Sequence, residues 1–337
     1  MSAPVSIPTR AEYEQLRADA GLVDRSSRLR MTFVGAQAAA TLNGLCTSDV
    51  LALQPGHGQY AAALTAKGKV LADVRIFQRA ADSFLVDVPA AAADGFTAMV
   101  RKYVNPRASR YADVSASMAC VGVAGPHARQ VLAHALGCSP ATIDLLAPFA
   151  HCEVPFHERS VLVARADDYG VDGFDCFVGS ADAASLREAL TASGAAPASS
   201  AALEVLRIEA GRPAWGVDMT DDTLLHEAGL DSLDAVSYTK GCYTGQEVVA
   251  RVHFRGHVNR VLRGLLLAAP PDGDARVIAG DAGDADVGDV RSRAVSPRLG
   301  AIALAMLRRT VEPGSAVTVR SAGGDAPATV VELPFPA

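Results

Sequence analysis

A chain of 337 residues is too long for one ordinary hydrophobic core, so two or three domains are expected. Hydrophobic residues make up 50% of the chain and charged residues 20%, which is typical of a globular protein in water. The 31 basic and 37 acidic residues give a net charge of −6, and this excess of negative charge argues against general nucleic-acid binding.

The cysteines and the N-terminal residues further limit the class of protein to which the chain can belong. The six cysteines include no Cys-x-x-Cys pair, so neither a zinc ribbon nor a self-ligated iron–sulfur cluster is expected, and no residue is assigned as a metal ligand. Residues 1–20 are too charged for a signal peptide, and no apolar run reaches the length of about 18 residues that spans a membrane. We therefore expect a cytoplasmic monomer without membrane association.

The first 115 residues alternate between helical and strand patterns. Helices are predicted over 9–20, 35–45 and 91–103, and strands over 29–34, 59–64, 70–77 and 83–88. Lys67-Gly68-Lys69 is predicted to be a hairpin turn, and Gly21 to Ser26 a turn with a possible helix cap.

Asp73 interrupts the apolar strand 70–77. A carboxylate buried there must find partners or raise its pKa, which is typical of a functional group. Strand alternation equally permits a side chain that faces solvent. The pattern alone leaves both interpretations open.

Residues 113–194 form a second mixed block, and the small-residue linker 195–200 follows it. Strands are predicted over 119–124 and 160–165, and a third strand, ending at 178, follows a turn that begins at 167. Helices are predicted over 127–136 and 182–191, and Asp182 is the predicted cap of the second helix. A further helix runs from Ala201 to Gly211. Glu209 lies in its last turn, where a carboxylate opposes the helix dipole. This placement suggests a functional role, with an exposed surface glutamate as the alternative.

The segment 240–251 holds the densest group of unusual residues. Thr244 and Glu247 have the spacing of a capping box, so a helix is predicted to begin near Gly245. If the preceding residues are extended, Lys240 and Cys242 point the same way, and the ammonium and the helix dipole both favour a thiolate. The alternative is a lone buried cysteine in a glycine-rich turn.

Basic residues follow this segment at nearly alternating positions: Arg251, His253, Arg255, His257 and Arg260. On an extended segment they would form one basic edge suited to an acidic partner or to a polyglutamate tail. A solvated surface is the alternative.

The sequence pattern changes near residue 262, where predicted helices give way to short predicted strands. Short strands are predicted over 261–266, 275–278, 287–291, 299–306, 316–320 and 328–333, separated by Gly, Pro and Asp turns. This spacing predicts a small antiparallel β-barrel or sandwich.

The sequence K-G-C-Y-T-G-Q-E at 240–247 resembles the signature of the YgfZ family, folate-binding proteins linked to iron–sulfur cluster maturation. That family is related to the glycine-cleavage T-protein, an aminomethyltransferase that uses tetrahydrofolate. The resemblance extends from Gly21 to Phe335 through weaker matches, including R-I-E-A-G at 207–211. The segment 170–175 departs from the T-protein pattern at Val171 and Asp172 and carries Asp175 in place of the family's glutamate.

The resemblance implies a site for tetrahydrofolate or another reduced folate. Tyr60 and Asp73 have the spacing of the family's folate-lining tyrosine and aspartate, and Glu209 matches the glutamate that binds the pterin. A carboxylate can accept two N–H bonds from a pterin. The further cofactor contacts implied by the motif are Tyr243, Gln246 and Arg251, and the residues assigned to chemistry are Cys242, Lys240 and Asp73.

The implied fold is α+β. Two interleaved lobes of sheet and helix, roughly 1–115 and 116–262, enclose a central folate cavity, and residues 263–337 form a C-terminal antiparallel β-barrel.

Two functions of different classes follow from the resemblance. The first is a folate-binding protein that supports assembly or repair of iron–sulfur clusters, with Cys242 as the essential thiol and iron–sulfur assembly proteins or target enzymes as partners. The second is a folate-dependent aminomethyl- or methyltransferase that depends on Asp73. A folate carrier without chemistry is a third option. The sequence leaves open whether Cys242 holds iron, attacks an electrophile or exchanges with a disulfide.

Overall fold

The computed structural model describes residues 4–279 and 285–336, which form two open sheets and one closed barrel. The helices of these residues are α1 (Arg10–Ala18), α2 (Ala38–Leu45), α3 (Ala93–Tyr103), α4 (Ala128–Ala135), α5 (Pro140–Asp144), α6 (Ala183–Ala192), α7 (Ser200–Glu209) and α8 (Gln246–Arg255). The strands are β1 (Gly21–Asp24), β2 (Leu29–Val34), β3 (His57–Leu64), β4 (Val70–Ala80), β5 (Ser83–Val88), β6 (Arg110–Asp113), β7 (Met118–Ala124), β8 (His151–Phe156), β9 (Arg159–Arg165), β10 (Gly173–Gly179), β11 (Ala196–Pro197), β12 (Arg260–Leu267), β13 (Arg276–Ala279), β14 (Ala285–Ser296), β15 (Gly300–Arg308), β16 (Ala316–Ser321) and β17 (Gly324–Val331). None of the described helices is both long enough and apolar enough to cross a membrane.

The first lobe is an antiparallel sheet in the order β3-β4-β5-β2-β6. Helices α2 and α3 cover one face of it, where Leu42 and Phe96 pack against Phe33 and Val74. The predicted helices and strands of this region are confirmed, and strand 83–88 has the predicted bounds. Alternation in β4 places every second side chain in this core and leaves Asp73 and Arg75 on the opposite face.

The second lobe is a sheet in the order β11-β1-β7-β10-β9-β8. Helices α4, α5 and α6 pack on one face through Leu132, Ile143 and Leu186. Gly21–Asp24, predicted to be a turn, forms β1 instead and pairs with both β7 and β11. Four residues are too few to show alternation, and the pairing that fixes them lies about a hundred residues away along the chain.

The uncovered faces of the two sheets pack against each other. Phe77 and Leu85 of the first lobe contact Leu162 and Phe177 of the second, and the rings of Phe77 and Phe177 lie 5.6 Å apart. The two lobes therefore share an apolar interface, and the polar residues beside it form the site described below.

The C-terminal strands close into a barrel in the order β12-β15-β14-β13-β16-β17, with Leu265, Val277 and Leu307 inside. A barrel was one of the two predicted architectures, and all its neighbouring strands are antiparallel. Helix α7 packs on the outside of the barrel against Ile302 and Leu304. The domain boundaries at 115 and 262 stay predictions.

Helix α8 begins where it was predicted to begin, but the side-chain caps predicted at Thr244 and Asp182 are absent. Helix α8 begins after Gly245, which adopts φ 82°, and the Thr244 side chain makes no cap bond. A Cβ at position 245 would lie 2.6 Å from the carbonyl oxygen of Thr65, so the β3–β4 turn forces a glycine there. Asp182 stands at the N-cap position of α6 without a side-chain cap bond and pairs with Arg159 at 3.6 Å.

Substitution of Gly245 tests this close approach. Gly245→Ala forces an alanine into the left-handed backbone conformation and brings its Cβ too close to the carbonyl oxygen of Thr65. We therefore expect it to lower the free energy of unfolding by about 2 kcal/mol or more. The control is Gly241→Ala in the same motif, where an added Cβ meets no atom within 4 Å, and it should change stability by less than about 0.5 kcal/mol. Urea unfolding measures both, and equal effects would contradict the packing described here.

Candidate functional site

Tyr60 and Asp73 meet on one face of the β3–β4 hairpin. Tyr60 stands opposite Arg75 and Asp73 stands opposite Ala62, so the three polar side chains share that face. The Tyr60 hydroxyl donates to Oδ2 of Asp73 at 3.0 Å. The spacing noted in the sequence thus corresponds to a diagonal contact between neighbouring strands.

The Asp73 carboxyl is 9% exposed, and its Oδ1 has no hydrogen-bond partner within the described residues. Burial raises the pKa of Asp73, against the opposing effects of the nearby Arg28 charge and the bond from Tyr60. Burial and the charge of Asp73 together raise the pKa of Tyr60 well above its usual value, so Tyr60 remains a donor. Asp73 can therefore hold a proton at Oδ1 or accept a ligand N–H there.

A cavity of about 170 Å³ opens beside this pair. Its walls come from both lobes and from the loop that follows α7; they comprise Arg25, Arg28, Tyr60, Asp73, Arg75, Pro89, Phe149, Asp168, Tyr169, Arg207, Arg212, Pro213, Ala214 and Trp215. A second cavity of about 400 Å³ shares Tyr60, Phe149, Asp168 and Arg212 with the first, so the two adjoin. Together they reach the size range of small-molecule sites.

Buried ion pairs of arginine with aspartate lie between the two lobes, next to the cavity. The Arg75 guanidinium, 2% exposed, contacts Asp87 of its own lobe at 2.5 Å and Asp175 of the other lobe at 2.6 Å. Arg25 also pairs with Asp175, at 2.9 Å, and Arg28 pairs with Asp87, at 2.6 Å. Asp175, noted as a departure from the T-protein pattern, is thus a structural counter-ion here.

Asp168 completes this group at the cavity wall. Its carboxylate lies 2.7 Å from Arg25 and 3.5 Å from Arg75. Burial alone would raise the pKa of Asp168, but the surrounding guanidinium groups outweigh it and hold the pKa at about 2. Asp168 is therefore ionised at neutral pH, whereas burial shifts Asp73 the other way.

Glu209 does not join this cavity, so the prediction that it lines the cavity together with Tyr60 and Asp73 is wrong. It is 5% exposed, and its carboxylate accepts from the Tyr13 hydroxyl at 3.0 Å and the Ser296 hydroxyl at 2.5 Å, with Arg298 at 3.4 Å. Tyr13 comes from α1 and the other two partners from the barrel domain. Helix α7 directs Glu209 toward the barrel, whereas Arg207 both lines the cavity and donates to the Ser292 hydroxyl of β14 at 2.7 Å.

Lys240 and Cys242 point in different directions, which contradicts the predicted contact between ammonium and sulfur. The Lys240 ammonium is buried and donates to the carbonyl oxygens of Asn43, Cys46 and Ser48 at 2.6–2.7 Å. Burial lowers the pKa of Lys240 to about 8. Lys240 thus ties the motif to the end of α2, while Cys242 is exposed.

The remaining motif residues also lie outside the walls of the cavity beside Asp73. Tyr243 is buried under the Lys240 ammonium, 5.0 Å from its ring centroid, while Gln246 is half-buried and Arg251 exposed on α8. Their role as cofactor contacts stays a prediction.

The predicted basic edge is absent from the described structure. Arg251, His253 and Arg255 belong to helix α8, where alternate residues point to opposite sides. His253 stacks on Tyr238 at 3.6 Å, and Arg260 pairs with Glu227 at 3.2 Å.

Most of the charged residues in and beneath the cavity wall were not predicted from the sequence. Arg75 and Asp87 were detectable, because each interrupts an apolar strand as Asp73 does. Arg25, Asp168 and Arg212 lie in turns or loops where charged residues are ordinary, so the sequence carried no signal for them.

Comparison with known proteins gives matches over nearly the whole chain. Residues 3–238 match the GCVT N-terminal domain family, and residues 260–336 match the glycine cleavage T-protein C-terminal barrel domain family. The aminomethyltransferase of Cupriavidus metallidurans is 33% identical over 344 residues, covering 96% of this chain and 88% of the relative. That of Rubrobacter xylanophilus is 32% identical over 330 residues, covering 97% and 86%.

The fold has a close counterpart among solved structures. The crystal structure of glycine cleavage system aminomethyltransferase T from Bartonella henselae superposes with a TM-score of 0.86 at 24% identity, covering 97% of this chain and 89% of that one. The predicted α+β fold with a C-terminal antiparallel barrel is confirmed.

Replacement of Glu209 separates a structural role from a ligand role. Glu209→Ala leaves three donors without their acceptor, so the free energy of unfolding should fall by about 3 kcal/mol while reduced-folate affinity is unchanged. Glu332→Ala is the control, since that side chain is 77% exposed. Chemical denaturation and calorimetric folate titration measure the two quantities. If Glu209→Ala instead lost affinity for the folate and kept the stability of the wild type, Glu209 would be a residue of the binding site.

Proposed function

Because the chain belongs to the glycine-cleavage T-protein family, we propose that it binds a reduced folate beside Tyr60 and Asp73 and takes part in one-carbon transfer of the aminomethyltransferase type. The observation that carries this proposal is the Asp73 carboxyl, which is buried, has a raised pKa and has one oxygen without a partner in the described chain. Perturbed carboxyl groups in a cavity are typical of proton-transfer sites.

The residues of the cavity fit a folate by their chemistry. A pterin offers N–H groups, and Oδ1 of Asp73 is an acceptor without a donor. Phe149 and Trp215 supply apolar ring surface in the same walls. A bound tetrahydrofolate supplies the nitrogens that carry the one-carbon unit.

The chain's own residues then have distinct tasks. Tyr60 orients Asp73 by donating to Oδ2, which leaves Oδ1 to hold or release a proton. Arg75 forms ion pairs with Asp87 and Asp175, and Arg28 and Arg75 hold the pKa of Asp87 below its usual range, so Asp87 does not compete for that proton. Burial between the lobes limits access of water to Asp73.

A second candidate is support of iron–sulfur cluster assembly or repair in partner enzymes, as the resemblance of 240–247 to the YgfZ signature implies. The observation that favours it is the exposure of Cys242, since a thiol that serves a protein partner must be reachable from outside. Burial raises the pKa of Cys46 to about 12 and that of Cys120 well above the usual value, so these two thiols are poor nucleophiles.

Substitution at Asp73 tests the first candidate. Asp73→Asn should lower the rate of one-carbon transfer to tetrahydrofolate by about 10²–10⁴-fold while the protein still folds. Because the pKa of Asp73 is raised in the folded protein, its carboxyl ionises, and so becomes able to accept a proton, only at a higher pH than the carboxyl of a free aspartate. The wild-type rate should therefore rise with pH through that raised pKa, and Asp73→Asn should lose this limb.

Two variants provide the comparison. Asp82→Asn is the matched control, because Asp82 is exposed on the turn between β4 and β5. Cys242→Ser should leave the transfer rate unchanged. If Cys242→Ser abolishes iron–sulfur enzyme activity in cells and the wild type shows no transfer, the second candidate replaces the first.

A further inference from the structure

We propose that Phe149 holds the p-aminobenzoyl ring of the bound folate, so that the protein selects complete folates over pterins that lack this ring. This role rests on the folate function proposed above and concerns the part of the ligand that extends away from Asp73. Phe149 lies in the turn before β8, and it lines both of the adjoining cavities.

The sizes of the two cavities determine where the ligand must go. Asp73 lines the first cavity, of about 170 Å³, and lies outside the walls of the second, of about 400 Å³. Small-molecule sites usually have about 300–1,000 Å³, so a folate whose pterin lies at Asp73 must extend into the second cavity. In a folate the ring that follows the pterin is the p-aminobenzoyl ring. This ring therefore passes the residues that both cavities share.

Phe149 is the one apolar side chain among those shared residues. Asp168 and Arg212 are charged, and the Tyr60 hydroxyl is already bonded to Asp73 at 3.0 Å. The Phe149 ring lies parallel to the Tyr60 ring, with 6.1 Å between the centroids and 6° between the planes. Tyr60 thus fixes the orientation of a second ring on which an aromatic ligand can pack by offset or edge contacts.

The turn that carries Phe149 favours glycine at its position. The Ala150 amide donates to the Ala147 carbonyl at 2.9 Å, Pro148 takes the second position, and Phe149 takes the third with φ 61°. Proline followed by a residue with positive φ matches a type II turn, in which glycine is usual at the third position. Phe149 is one of three non-glycine residues with positive φ in 4–279 and 285–336. Because a large side chain is unfavourable there, this outlier points to a function of the ring.

Both lobes hold Phe149 in this conformation. Its amide donates to the Arg165 carbonyl on β9 at 3.1 Å, and the His151 amide donates to the Gly56 carbonyl at 2.8 Å. A Cβ at Gly58 on β3 would lie 2.7 Å from the Phe149 carbonyl oxygen, so the two lobes approach closely at this point. The ring is therefore positioned by the protein itself, which limits the entropy that ordering it on binding would cost.

Three reduced pterins test the assignment by calorimetry on the full chain. Tetrahydrofolate and tetrahydropteroate both carry the p-aminobenzoyl ring, tetrahydropteroate lacks the glutamate, and 6-methyltetrahydropterin lacks both. The wild type should bind 6-methyltetrahydropterin about tenfold or more weakly than tetrahydropteroate, because the ring contact is lost. Phe149→Ala should weaken tetrahydrofolate and tetrahydropteroate by about tenfold and leave 6-methyltetrahydropterin unchanged.

Further variants separate the ring from the fold. Phe149→Tyr keeps an aromatic ring and should bind all three ligands within about twofold of the wild type. Phe149→Gly should bind like Phe149→Ala but unfold at a higher urea concentration, because glycine adopts positive φ without strain. His157→Ala is the matched control, since His157 has φ 53° in an exposed turn outside the walls of both cavities. It should leave all three affinities unchanged.

The outcomes distinguish this role of Phe149 from the folate function. If the wild type binds none of the three ligands, the folate function is wrong, and the role of Phe149 is wrong with it. If the wild type binds tetrahydrofolate and Phe149→Ala binds it equally well, the folate function stands and Phe149 does not hold the ring. The same conclusion follows if Phe149→Ala weakens 6-methyltetrahydropterin as much as tetrahydropteroate, or if the wild type binds these two equally.

Discussion

The buried guanidinium of Arg75 is the constraint on which the site depends. It joins Asp87 in the first lobe to Asp175 in the second, directly beside the apolar contact of Phe77 with Phe177. Removing one member of a buried ion pair typically costs about 3–5 kcal/mol, because the partner charge is left in a medium of low dielectric. The relative position of the two sheets, and with it the cavity between them, therefore depends on an arginine that the chain cannot easily replace.

The same ion pairs set the chemistry of the carboxyl groups. Burial alone would raise the pKa of Asp87, but Arg28 and Arg75 hold it below its usual range, and Asp168 reaches about 2 for the same reason. Asp73 receives one hydrogen bond, and the charge of Arg28 does not fully offset its burial, so its pKa is raised. Neighbouring carboxyl groups with pKa values moved in opposite directions are the usual arrangement for assigning acid and base roles. The direction of these shifts marks Asp73, and not Asp87 or Asp168, as the carboxyl group that keeps its proton to a higher pH than a free aspartate does.

The parts of the fold that depend on residues close together in the sequence were predictable from sequence patterns. The hairpin that carries Tyr60 and Asp73 was predictable because alternation and a Lys-Gly-Lys turn lie within one short segment. The orientation of Glu209 was not, because it depends on Tyr13 and on the barrel residue Ser296, far away in sequence. The capping box of α8 was wrong for a similar reason: the helix begins where it was predicted to begin, but contact with the β3–β4 turn places Gly245, and not Thr244, at its N-cap. Arg212 gave no sequence signal, since a charged residue in a loop is ordinary.

The most direct test of the central claim, that the cavity between the lobes is the ligand site, is a crystal structure of the protein with tetrahydrofolate. We expect density for the pterin against Tyr60 and Asp73, with a pterin N–H within hydrogen-bond distance of Oδ1 of Asp73. The Arg75 ion pairs should keep their present distances. Density beside Glu209, or at the exposed surface around Cys242, with the cavity at Asp73 filled only by water, would contradict it.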